Sequence, residues 1–210
     1  MLLKLCRTHV MLGNISLLNR YISCAQVTKR PIFEFISSKI NPNAALMVFS
    51  FEDDYSFGII ASQLHWLWFV EKCSTLGEQF RYTTDSIWDT FPWPQNPDNQ
   101  QVEQVADAAL QLRLARRKIM QQNRLTLRDL YRTLDKPGKN PIKDLQEELN
   151  QAVMVAYGFD PLKDLLLQLL DLNQQVHQKE LMGNKVTGPG IPYYYPEPER
   201  LISEDCVILI

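Results

Sequence analysis

The spacing of apolar positions changes twice along the chain. From Arg20 to Val27 they alternate loosely with small and polar residues, and the same short alternation returns in Ile32-Phe33-Glu34-Phe35-Ile36 and from Leu46 to Phe51. Successive side chains of a strand point to opposite faces, so this two-residue period predicts three strands. Pro31 stands where a strand's first residue tolerates proline, and Asn41-Pro42-Asn43 makes the turn into the third strand. From Tyr55 to Cys73 the residues are apolar nearly all round, with Ile59, Leu64 and Trp68 on one side and Ile60, Leu67 and Val70 on another. That pattern predicts one buried helix wrapped by the strands and the following loop. Glu52-Asp53-Asp54 precedes it and supplies acceptors for its free N–H groups.

Phe80 to Pro94 follows, with aromatics and two prolines too stiff and bulky for a solvent linker. Pro92 and Pro94 forbid a continuing helix and hold Phe91 and Trp93 extended, so this stretch is expected to close one domain and cross to another, with Trp93 pinning the crossing. After a polar linker, 95–99, the period lengthens to that of a helix: Val102, Val105, Ala109, Leu112 and Ile119 form one stripe. Thr126, three residues before Asp129, caps a short helix through Leu134. Asn140-Pro141 opens a helix that Gly158 closes, and Asp160-Pro161 repeats the signal for a last helix ending near Gly183. Beyond it, Gly188-Pro189-Gly190 and three consecutive tyrosines predict an extended tail on the surface of one domain.

The expected class is therefore α+β: a small mixed or antiparallel sheet packed on a buried apolar helix, then an all-α domain and an extended C-terminal tail. The expected divisions are a segment 1–14, a first domain 15–94, the linker 95–99, a helical domain 100–183 and a tail 184–210.

Composition changes this picture little: 45% apolar and 22% charged residues in 210 suit one or two globular domains. The net charge of −2 gives no global field for nucleic acid, but its distribution is uneven. Residues 1–40 carry Lys4, Arg7, Arg20, Lys29, Arg30 and Lys39 against Glu34 alone, and Arg113 to Lys143 carries ten basic residues against Asp129 and Asp135. Either block fits a polyanion or a solvated helix face. Cys6, Cys24, Cys73 and Cys206 are too scattered for zinc or a disulfide framework. Lys4, Arg7 and His9 interrupt any signal-peptide core, and the apolar run 57–70 is too short to span a bilayer, so a cytoplasmic chain without a membrane partner is expected. His65, lacking ligands at metal-binding spacing, reads as a hydrogen-bonded core residue.

No self-contained chemistry emerges. Gly188-Pro189-Gly190 is the sole G-x-G and opens no helix, no Asp/Glu-x-Lys nuclease triplet occurs, and neither G-x-S-x-G nor H-E-x-x-H is present. The chain alone is expected to be non-catalytic, with no cofactor and no metal of its own.

Arg20-Tyr21-Ile22, Lys29-Arg30-Pro31, Phe57-Gly58-Ile59, Leu64-His65-Trp66, Phe80-Arg81-Tyr82 and Phe91-Pro92-Trp93-Pro94 stand in an order and spacing that resembles the C-terminal part of MmeI-like DNA adenine-N6 methyltransferases. Leu130-Tyr131, Pro141, Ala156-Tyr157-Gly158 and Val186-Thr187 are similar to that family's last, helical domain. The resemblance runs from about Ile15 to Cys206. It implies a target recognition domain and helical domain from a restriction-modification protein, acting on double-stranded DNA. The methyl-transfer, S-adenosylmethionine and nuclease motifs of the family precede the matching part, so the resemblance implies a truncated chain that serves a separately encoded methyltransferase half. An inert gene remnant and a protein-interaction adaptor are the alternatives. By the same resemblance Gly77, Glu78 and Gln79 are where base edges are read; Gln79 matches adenine and Glu78 accepts from cytosine N4. Lys29, Arg30 and Arg81 are the expected phosphate contacts, and Tyr82 completes the DNA-binding set.

Overall fold

The computed structural model describes residues 7–76, 79–134 and 137–208. A short helix, α1 (Arg7–Ile15), leads into β1 (Arg20–Ala25), the centre of a three-stranded antiparallel sheet. β3 (Glu34–Ser37) and β4 (Leu46–Phe49) flank β1, with Ile22 facing Phe35 on one side and Phe49 on the other. Every residue from Arg20 to Cys24 is buried, so the sheet is covered on both faces. A second antiparallel sheet joins β2 (Val27–Thr28), β6 (Gln79–Arg81) and β5 (Ser74–Leu76) in the order β2-β6-β5. Its strands are too short to show a period, which is why the sequence pattern passes over them.

The expected single apolar helix is two. α2 (Asp54–Ile60) and α3 (Gln63–Lys72) meet at Ser62, whose hydroxyl donates to the Ile59 carbonyl at 2.7 Å and accepts from the His65 amide at 3.4 Å. One side chain thus satisfies a free carbonyl of the first helix and a free amide of the second. Asp53 caps α2 as expected, accepting from the Ser56 amide at 2.6 Å.

Four further helices follow: α4 (Asn99–Asn123), α5 (Leu127–Leu134), α6 (Pro141–Tyr157) and α7 (Leu165–Leu181). Asp98 and Gln101 form a reciprocal capping box for α4, while Asn140 with Pro141 opens α6 and left-handed Gly158 closes it. α7 departs from expectation by starting at Leu165 under an Asp164 cap. The Asp160 carboxylate is spent on the Leu162 amide, and Gln168 reaches back to the Asp160 backbone. α2 crosses α4 at Gly58, where an added Cβ would stand 2.6 Å from Val105 Cγ1 and 3.1 Å from the Val105 carbonyl oxygen. Only glycine lets the helices approach this closely. As a result the sheet, α2, α3 and the C-terminal helices share one contiguous apolar core.

Phe80 to Pro94 is ordered throughout. Thr84–Trp88 makes one π-helical turn, and Trp93, 2% exposed, packs among Phe51, Tyr55, Trp88 and Phe91. The Tyr157 hydroxyl donates to the Pro92 carbonyl at 2.8 Å and so fixes α6 to the crossing.

The tail does more than lie on the surface. Tyr195 and Leu201 are buried, and Val207 pairs in parallel beside Ile36, donating to the Phe35 carbonyl and accepting from the Ser37 amide. This docking delivers Asp205 to a buried charge cluster. Asp205 accepts from Arg20 Nη1 at 3.0 Å and from Arg113 Nε at 3.0 Å, while Asp54 binds both guanidinium groups and Ser203 bridges the carboxylates. The Arg20 guanidinium lies 3.6 Å over the Phe35 ring. Burial alone would raise the Asp205 carboxyl, but the hydrogen bond and charge of Arg113, with Ser203 and Arg117, outweigh it and hold it at about 2. A strand, two helices and the tail are thereby joined at one point.

Candidate nucleic-acid interface

The buried cluster corrects the reading of the basic blocks. Arg20 and Arg113 are internal counter-ions, and so is Arg116, which donates to Glu34 and the Phe33 carbonyl, each at 3.0 Å. None of the three is available to a polyanion. From the second block Lys118, Arg124, Arg128, Arg132 and Lys139 remain exposed.

The exposed face of the second sheet gathers the other candidates. Along β6, Phe80 turns inward against Phe69 and Trp66, with ring centroids 5.8 and 6.2 Å apart, while its neighbours Gln79 and Arg81 are exposed. Side chains two apart share a face, so Gln79 and Arg81 stand side by side on the outer one. Val27 pairs with Arg81 and Thr28 with Phe80; the ladder ends there, and exposed Lys29 follows in a bend. An exposed amide and guanidinium thus share one face of a short antiparallel sheet, with Lys29 just past the end of β2. Gly77 and Glu78 lie outside the described residues, in the connection between paired Leu76 and Gln79.

Arg30 leaves this sheet. The Thr28 hydroxyl donates to the Arg30 carbonyl at 2.9 Å and accepts from its amide at 3.2 Å, turning the chain so that the guanidinium lies 5.9 Å over the Tyr131 ring. Tyr82 is a further correction, because it faces inward with Phe80. It is 0% exposed, stacks on Phe69, and has its hydroxyl 2.9 Å from His65 Nε2. It shapes the sheet from behind and touches no solvent-borne partner.

Residues 28–95 match the family described as MmeI, target recognition domain. That span holds β6, its partner β5, both apolar helices and the aromatic crossing. The chain carries an MmeI-type target recognition domain. Its fold is also similar to that of the Type IIL restriction-modification enzyme MmeI solved in complex with DNA, with a TM-score of 0.64 and 19% identity. The match covers 76% of this chain and 22% of that one, so the chain spans under a quarter of the MmeI length. No curated protein sequence matches the chain.

Inside the target recognition domain, His65 is the buried, hydrogen-bonded core residue that the sequence suggested. Burial pushes its imidazole down to about 3, against a small opposing effect of the Ile60 carbonyl, so the ring is neutral. Its Nε2 lies 2.9 Å from the Tyr82 hydroxyl, within hydrogen-bond distance. Among the described residues no group of three His, Cys, Asp or Glu is placed to hold a metal ion, and no helix is long and apolar enough to cross a membrane.

Proposed function

We propose that this chain is the DNA-reading part of an MmeI-like restriction-modification methyltransferase and that its target recognition domain meets duplex DNA with the outer face of β6. Gln79 offers an amide donor and acceptor side by side, the pattern that pairs with adenine N6 and N7 in the major groove. Arg81 and Lys29 hold phosphate and set register without reading sequence. β6 is the central strand of its short three-stranded sheet, so its outer face is presented between β2 and β5. Methyl transfer, with its S-adenosylmethionine, belongs to a methyltransferase part outside these 210 residues, carried by the same protein or by a separate chain. The assembly works on DNA in the cytoplasm.

The observation that carries this reading is the exposed alternation of Gln79 and Arg81 on a strand inside the matched span. Fluorescence anisotropy with duplex DNA tests it. Sequence-independent binding should be ~10⁻⁴ to 10⁻⁶ M and weaken steeply with salt, because neutralised phosphates release counterions. Arg81→Ala should weaken all duplexes alike and lower the salt slope by about 1. Absence of binding at low salt, or an affinity independent of salt, would refute it and favour a protein-interaction role.

A further inference from the structure

α5 is the most sharply two-sided helix of the chain. Leu127, Leu130, Tyr131 and Leu134 fall on one side of its eight residues, with Leu130 buried. Arg128 and Arg132, four apart, share the flank next to Tyr131, and both are exposed. Arg124 stands at the corner before this helix as the C-cap of α4, with φ 52° and ψ 40°. Among the described residues it is the one non-glycine residue of positive φ, at a place where glycine or asparagine is the usual cap. A cation is thus kept at a corner whose backbone disfavours an L side chain.

A merely solvated helix face interleaves both signs of charge, and this one does not. Between Leu114 and Leu134 the exposed charges are Lys118, Arg124, Arg128 and Arg132, and the sole carboxylate is that of Asp129. Asp129 is occupied at the helix start, where it accepts from the Thr126 hydroxyl at 2.6 Å and the Thr126 amide at 3.3 Å, and it reaches Arg132 only at 3.8 Å. Of the neighbouring carboxylates, Glu34 is held by Arg116 at 3.0 Å and Glu147 accepts from Gln151 at 2.7 Å. The basic surface also continues into the second sheet. β2 ends at Thr28, paired with Phe80 of β6, and two residues on the Arg30 guanidinium lies 5.9 Å over the Tyr131 ring. The Tyr131 hydroxyl accepts from Arg116 at 3.0 Å, so the ring is held by a buried arginine and faced by an exposed one. Arg30 thereby joins the strand to the helix.

We infer that Arg30 and α5 form a second docking surface for duplex DNA, on which Arg30, Arg128 and Arg132 hold the phosphate backbone flanking the bases met by β6. The inference rests on the DNA-reading role proposed for β6 and extends the footprint to the helical part of the chain. Side chains four apart on a helix stand about 5–6 Å apart at Cβ, a step that lets two arginines reach successive phosphates of one strand. The planar guanidinium suits that partner because it pairs bidentately with phosphate oxygens. Such contacts set affinity and orientation and carry no base information, which leaves sequence choice to β6.

The test is fluorescence anisotropy of the full chain on duplex DNA across a salt series. Four proteins are compared: the parent, Arg81→Ala, the double variant Arg128→Gln/Arg132→Gln, and a control that removes two exposed cations elsewhere, Lys163→Gln/Lys179→Gln. Each lost phosphate contact lowers the slope of log affinity against log salt by about 0.9, so the α5 double variant should lower it by roughly 2 and weaken all sequences alike. The control should leave the slope unchanged. An α5 double variant with the parent's slope, or a control that lowers the slope as far, would overturn the inference. If the double variant does not fold by circular dichroism, Arg128→Gln is read alone and should lower the slope by about 1. The two readings separate in the same data. A slope lowered by Arg81→Ala but not by the α5 variants keeps β6 and removes α5, and the converse keeps α5 as a DNA contact and removes Arg81. No binding by the parent at low salt refutes both.

Discussion

Asp205→Ala should unfold the chain at a much lower temperature although residue 205 lies in the tail. Asp205 and Asp54 are the two carboxylates that balance Arg20 and Arg113, whose side chains are 2% and 0% exposed. Removing one carboxylate leaves a buried guanidinium without its counter-charge, a loss of about 3–5 kcal/mol. A domain of this size shifts its midpoint ~2–4 °C per kcal/mol, so the variant should melt about 6–20 °C lower by circular dichroism at pH 7. Asp205→Asn keeps an acceptor for Arg113 and should fall between the variant and the parent. The charge also predicts a pH window. Because the folded Asp205 carboxyl is held at about 2, its contribution is complete above the ordinary carboxylate range near 4 and disappears as pH falls toward 2. If Asp205→Ala melts within about 2 °C of the parent, the tail is not docked on the cluster and the reasoning fails.

Gly58→Ala should cost ~1–3 kcal/mol, since its Cβ meets Val105 Cγ1 and the Val105 carbonyl, and Val105→Ala should restore part of the loss; a fully stable Gly58→Ala would show that α2 and α4 sit farther apart. Two buried groups act against each other in mild acid. His65, pushed down to about 3, withdraws stability as pH falls below about 6.5, because only the unfolded chain takes the proton. Burial pushes Asp53 up to about 6 despite the Ser56 amide, so the folded chain takes that proton first and gains stability over the same window. Asp53→Asn keeps the helix cap and removes only the second effect, so its stability from chemical denaturation should drop by about 1.4 kcal/mol per unit between pH 6 and 4.5 while the parent stays nearly level. A level profile in Asp53→Asn would contradict the neutral His65.

β1, β3, β4, α4 and α6 were legible because each is long enough to show a period or carries a cap with a proline or glycine. The break at Ser62 was not, since apolar continuity hid a cap that only the hydroxyl's two bonds reveal. The buried arginines read as basic surface because their partners are remote: Arg20 meets Asp54 34 positions away and Asp205 185 positions away. Linear charge counting cannot register such pairs. At the candidate interface, Gln79 and Arg81 fit the outward phase of β6, while Tyr82 is in the inward phase with Phe80. Recognising β6 as a strand would have placed Tyr82 inside. Gly77 and Glu78 remain expectations of the resemblance.

The claim that β6 chooses the DNA sequence is tested most directly by exchanging Gln79. The chain is joined to a matching MmeI-like methyltransferase part, and the methylated sites are mapped for Gln79 and for Gln79→Asp. A bidentate amide–adenine pair discriminates by ~1–3 kcal/mol, so preference should change by roughly tenfold or more at one base position and stay constant at all others. An active fusion whose two site maps coincide would contradict the account and make the sheet a scaffold for recognition elsewhere.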